Sequence, residues 1–87
     1  MATFVIESYM SRTGTGELDA AAAQLRAAIA DMPESAGRVG YLRSMFVPDD
    51  EICFHVIEAP SQDVAVDAAR RAGLTPDRVV KAEAAAG

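Results

Sequence analysis

Cys53 and His55 stand two residues apart in the apolar run Ile52–Ile57. On a β-strand that spacing sends both side chains to one face. A thiolate and an imidazole together suit nickel, copper or zinc. Glu7, in a run that reads as a neighbouring strand, is expected to add a carboxylate on that face, giving His55, Cys53 and Glu7 as the metal-ligand candidates. The sequence holds one histidine and one cysteine, so a tight site would have to draw further ligands from a second subunit. The plainer reading makes Cys53 a small buried apolar residue and His55 a hydrogen-bonded core residue. Nucleophilic catalysis by Cys53 would need a base within hydrogen-bond reach, and His55 on the same strand is awkwardly placed for that. No catalytic residue is assigned.

Tyr9, Tyr41 and Arg43 form a second group, suited to a small aromatic or acidic ligand and equally to a subunit interface, where Tyr and Arg are enriched. Two other clusters carry less. Gly14-Thr15-Gly16 follows a strand and opens a helix, but Asp19 occupies the third glycine position of a dinucleotide fingerprint and would repel a phosphate. Asp49-Asp50-Glu51 are consecutive acids in a turn and lack the alternating spacing of a calcium loop.

The elements that must position these residues are readable from periodicity. Thr3–Tyr9 is a strand with Phe4, Ile6 and Ser8 on one face and Thr3, Val5, Glu7 and Tyr9 on the other. A first helix starts near Thr15 as N-cap, with Glu17 and Asp19 in its first turn. Its stripe is Leu18, Ala22, Leu25, Ile29 and Met32, and Pro33 and Gly37 mark its end. Arg38–Val47 is a second strand, alternating Tyr41, Arg43 and Met45 against Leu42, Ser44 and Phe46. Pro48-Asp49-Asp50 turns the chain into a third strand, Ile52–Ile57, apolar enough to be central. Ser61 caps a second helix that buries Val64, Ala65, Ala68, Ala69 and Ala72 and ends at Gly73. A short last strand, Arg78–Lys81, precedes a tail at 83–87 expected to fray.

Strand, helix, strand, strand, helix, strand is the ferredoxin-like βαββαβ order of the α+β class. Right-handed crossovers make it a four-stranded antiparallel sheet with both helices on one face. The other face, expected to carry Val5, Glu7, Tyr9, Tyr41 and Arg43, stays open. An 87-residue chain is one domain, 1–87, with a thin core. Much of its 51% hydrophobic content is alanine, and the large side chains are few, with three Phe, two Tyr and four Met. A thin core and an open sheet face lead to the expectation of a homodimer, packed sheet to sheet as in dimeric α/β barrels. The net charge of −5 and the absence of a basic stripe argue against nucleic acid as a partner. The N-terminal run lacks the positive region of a signal peptide, and no stretch reaches the ~20 apolar residues of a membrane span. A lone cysteine fits a reducing compartment, so the expected location is cytoplasmic.

Tyr41-Leu42-Arg43-Ser44, Cys53-Phe54-His55-Val56-Ile57-Glu58-Ala59-Pro60-Ser61 and Ala68-Ala69-Arg70-Arg71-Ala72-Gly73-Leu74 together resemble a family of small ferredoxin-like proteins. Val5-Ile6-Glu7 and Asp77-Arg78-Val79 suit the same pattern. The family includes a nickel-binding, nickel-responsive protein, and the resemblance implies a homodimer and a nickel site. The chain departs from the pattern at Ala68, where members often carry a histidine, and at His55, where many carry a second cysteine. The expected function is therefore a small homodimeric protein binding nickel or another transition metal. The alternative is a cofactor-free monooxygenase-like enzyme of the dimeric ferredoxin-like barrel type, with His55 as acid or base and Tyr9, Tyr41 or Arg43 orienting a substrate.

Overall fold

In the computed structural model, which describes residues 1–83 and Ala85, the chain runs β1 (Ala2–Tyr9), α1 (Glu17–Ala30), a 3-10 turn (Glu34–Ala36), β2 (Gly40–Val47), β3 (Ile52–Ala59), α2 (Gln62–Arg71) and β4 (Arg78–Ala82). The strands form one sheet in the order β2-β3-β1-β4, with every neighbouring pair antiparallel. Of the tail expected to fray, Ala84, Ala86 and Gly87 lie outside the described residues.

Both helices cover one face. Phe4 and Ile6 of β1, Ile57 and Ala59 of β3, Leu25 of α1 and Ala65, Ala68 and Ala69 of α2 close into a single cluster. The α1 stripe packs as its spacing predicts, with Ala22 and Leu25 buried and Ile29 and Met32 against the cluster. Its N-terminus differs from expectation. Gly16 rather than Thr15 is the cap, in the left-handed region at φ 74°, and no side chain caps the helix. A residue with a Cβ is strained at that φ, and Glu17 and Asp19 remain in the first turn to offset the dipole.

The second helix is punctuated at both ends. Ser61 accepts a hydrogen bond from the Val64 N–H at 3.3 Å. At the other end Gly73, at φ 79°, donates to the Arg70 carbonyl (3.0 Å) while the Leu74 N–H reaches the Ala69 carbonyl (3.1 Å). Those two bonds make a Schellman motif, and Leu74 packs on the core as that motif favours. Three buried alanines, Ala65, Ala68 and Ala69, let α2 approach the sheet closely.

One irregularity shapes the site. The β2–β3 ladder pairs Tyr41 with Ile57 and then Arg43 with Val56, so Leu42 is an extra residue, a β-bulge. Regular alternation would put Tyr41 beside Arg43 and Met45. The bulge instead resets the period, so Tyr41, Ser44 and Phe46 share the helix-facing side while Arg43, Met45 and Val47 face out. The expected alternation of β2, and with it Tyr41 on the open face, is corrected accordingly.

Candidate functional site

The apolar run of β3 hides its own parity, and its partners reveal it. Ile6 pairs with His55, Ser8 with Cys53 and Phe4 with Ile57. Since Phe4 and Ile6 lie in the core, Cys53 and His55 lie on the helix-covered face, and both are 0% exposed. Glu7 pairs with Phe54 and so points to the opposite side of the sheet. There it meets Arg78 at 3.7 Å. The structure thus brings Cys53 and His55 together and separates Glu7 from them by the thickness of the sheet. A pleated strand cannot send residues of opposite parity to one face.

Within the core the two side chains belong to one hydrogen-bonded chain. Cys53 Sγ lies 3.4 Å from His55 Nε2. On the far side of the ring, His55 Nδ1 shares a 2.5 Å hydrogen bond with Ser44 Oγ. Ser44 Oγ in turn shares a 2.7 Å bond with the Tyr41 hydroxyl. The Arg26 guanidinium of α1 stands over the Tyr41 ring, 5.2 Å from its centroid, a cation–π distance. Among the described residues no buried side-chain nitrogen or oxygen lacks a partner, so this network is fully satisfied. Sequence reasoning missed Ser44. The signal would have been the bulge, which a period-two reading does not see.

Burial acts on both ionisable groups in the direction of neutrality. Desolvation lowers the His55 pKa from its ordinary 6.5 and raises the Cys53 thiol above its ordinary 9.0. Near neutral pH the pair is imidazole and thiol. A protonated, buried thiol is a poor nucleophile and a poor target for oxidation.

The remaining candidates divide between the two sides. Tyr41 is half-buried in the core layer. Tyr9, 66% exposed, stands on the open face, its hydroxyl donating to Glu51 Oε2 at 3.4 Å. Arg43 is exposed on that face too, so the three do not form one pocket. Among the described residues of the single chain no pocket opens beside His55. No three of the described His, Cys, Asp and Glu residues gather where one ion would touch them all.

What the core pair offers is a two-donor bite. An ion about 2.0 Å from an imidazole nitrogen and about 2.3 Å from a thiolate, at a tetrahedral angle, holds the two donors about 3.5 Å apart. The 3.4 Å between Nε2 and Sγ matches that span. An imidazole anchored at its other nitrogen is also how ligating histidines are held.

Element order, strand order and a single helical layer define a ferredoxin-like α+β domain. More narrowly, the chain belongs to the SCO4226-like family of nickel-responsive proteins, whose sequence profile matches residues 4–81. The crystal structure of SCO4226 from Streptomyces coelicolor A3(2) superposes with a TM-score of 0.76 at 20% identity, covering 98% of this chain and 100% of that one. At that identity the likeness speaks for the fold. No curated protein matches. No helix among the described residues is long and apolar enough to cross a membrane.

Proposed function

We propose that this chain is a small homodimeric protein that binds a transition-metal ion, nickel first, through His55 Nε2 and Cys53 Sγ. The observation that carries the reading is the 3.4 Å separation of those atoms, which fits a chelating pair. Membership of a nickel-responsive family favours nickel among the ions such donors take. Glu7 has no part in this pair, because it lies across the sheet. The remaining coordination positions fall to water or to donors brought in by rearrangement. Uptake requires a local opening, since both donors are sealed, and β2 is an edge strand paired on one side only.

The homodimer is supported by the open face. Tyr9, Met45 and Val47 are exposed large side chains there, with Val5, Ile52 and Phe54 half-buried beside them. A second copy laid sheet to sheet would cover this surface and would place Tyr9 and Arg43 in the interface. It would also leave the His55–Cys53 pair inside each subunit, not between them. The acidic balance of the chain disfavours a nucleic-acid partner, and a free buried cysteine suits a reducing cytoplasm.

Native mass spectra of the metal-stripped protein, titrated with nickel, zinc and copper, test the reading. A dimer that takes up a whole number of nickel ions, and loses that uptake in His55→Ala and Cys53→Ser, supports it. Uptake that is absent, or unchanged in both variants, overturns the site. Ligand protonation competes with metal, so nickel affinity is expected to fall with falling pH.

A further inference from the structure

Resting on the metal-binding reading above, we infer that Ser44, itself oriented by Tyr41, is the positioning residue of the site: its hydroxyl oxygen accepts the Nδ1–H of His55 and so leaves the Nε2 lone pair facing Cys53. The distances along Tyr41, Ser44 and His55 are 2.7 Å and 2.5 Å, and Cys53 Sγ closes the chain 3.4 Å from Nε2. Two proton orders are compatible with this chain of bonds. In one, Nε2–H donates to sulfur and Nδ1 accepts from Ser44. In the other, the Cys53 S–H donates to Nε2 and Nδ1–H donates to Ser44 Oγ, whose own proton goes to Tyr41. Sulfur is a weak acceptor, whereas an imidazole nitrogen and a hydroxyl oxygen are strong ones. The first order leaves the S–H of fully buried Cys53 with no acceptor in this chain of bonds, whereas the second leaves over only the O–H of Tyr41, which is half-buried and open to water.

The backbone is built to place this anchor. Tyr41 and Ser44 are three residues apart in a strand and would face opposite ways on a regular ladder. The bulge between Tyr41 and Arg43 turns both onto the helix-facing side, next to His55, with which Ser44 is in register. Arg26, above the Tyr41 ring at 5.2 Å, ties the outer end of the relay to α1. Bulges that re-aim a side chain beside a functional group are a recurrent device. A ligating histidine is held in the required tautomer by just such a partner on its other nitrogen.

A single histidine and a single cysteine make the test unambiguous. Long-range proton–nitrogen NMR of the metal-free protein, labelled at histidine, reads the tautomer of one imidazole. Titration with nickel chloride, followed by thiolate-to-nickel charge-transfer absorption, reads one sulfur. The wild-type protein is expected to show the Nδ1–H tautomer. Ser44→Ala should shift it toward Nε2–H and weaken nickel binding about 10–100-fold; Ser44→Thr should restore both. Tyr41→Phe should shift the tautomer less. An Nε2–H tautomer in the wild type, or an unchanged tautomer in Ser44→Ala, overturns the assignment. If Ser44→Ala does not fold, an unchanged tautomer in Tyr41→Phe overturns the relay. A wild-type protein with the expected tautomer, its dependence on Ser44 intact, and no nickel uptake supports the role of Ser44 while rejecting the metal-binding reading.

Discussion

The two faces of β3 are built from one apolar run yet have opposite fates. On the helix side, Cys53, His55, Ile57 and Ala59 are all 0% exposed. On the other side Ile52, Phe54 and Glu58 stay half-buried and Val56 alone is buried, at 8%, although Phe54 is as apolar as anything in the core. The difference comes from what lies above each face, which is α1 and α2 on one side and no element of the described chain on the other. Hydrophobicity alone therefore does not mark the core of so small a domain; register does. The polar atoms follow the same division. The buried side carries a closed relay from Tyr41 to Cys53, and the open side carries solvent-facing pairs such as Glu7 with Arg78 at 3.7 Å.

Breaking the covered face should cost most. Leu25 is fully buried between α1 and the sheet, and Leu25→Ala is expected to lose about 2–5 kcal/mol, read as a lower urea midpoint. That is a large part of the ~5–15 kcal/mol a domain has in total. The open face should respond in assembly rather than in folding. Phe54→Glu places a charge in the middle of the proposed interface. It is expected to weaken self-association by at least about tenfold, or about 1.4 kcal/mol, in sedimentation equilibrium. A variant that dimerises as the wild type does would remove this face as the interface.

The covered face should also set the pH profile. His55 has its pKa lowered on folding, so below its ordinary 6.5 the unfolded chain binds a proton that the folded chain does not, and stability falls as pH drops through that value. Cys53 has its pKa raised, so above its ordinary 9.0 the unfolded chain releases a proton that the folded chain keeps, and stability falls as pH rises. Urea midpoints across pH 5 to 10 are expected to show a plateau between these limits. His55→Gln should flatten the acid limb relative to wild type, and Cys53→Ser the alkaline one. The smallest effect belongs to a helix end. Ser61→Ala removes the only side-chain cap on either helix and should cost about 1 kcal/mol by thermal melting.

Much of this architecture is legible in the sequence. The Leu18–Met32 stripe, Ser61, Gly73 and the Pro48 turn act through nearest neighbours, so each is visible without knowing the fold. Placing Glu7 with His55 failed because it depends on pairing between strands distant in sequence. A clue was present in Glu58. As the one charged residue of β3, it assigns Ile52, Phe54 and Val56 to the outer face by alternation, and Cys53 and His55 to the inner one. The extra residue at Leu42 left no such clue, since a bulge only changes which way an ordinary alternation is read. Gly16 in place of Thr15 as the cap is a choice of backbone angle between adjacent turn residues, either of which could have served.

The bulge at Leu42 has one more consequence, for how copies of the chain can meet. β2 and β4 are the two borders of the sheet, and an unpaired border invites a stranger's strand to extend the ladder. β2 breaks its own ladder at the bulge, and β4 offers five residues. Neither border is a good template for runaway lateral growth. The proposed interface on the broad face would, by contrast, close on itself in pairs and not grow into fibres.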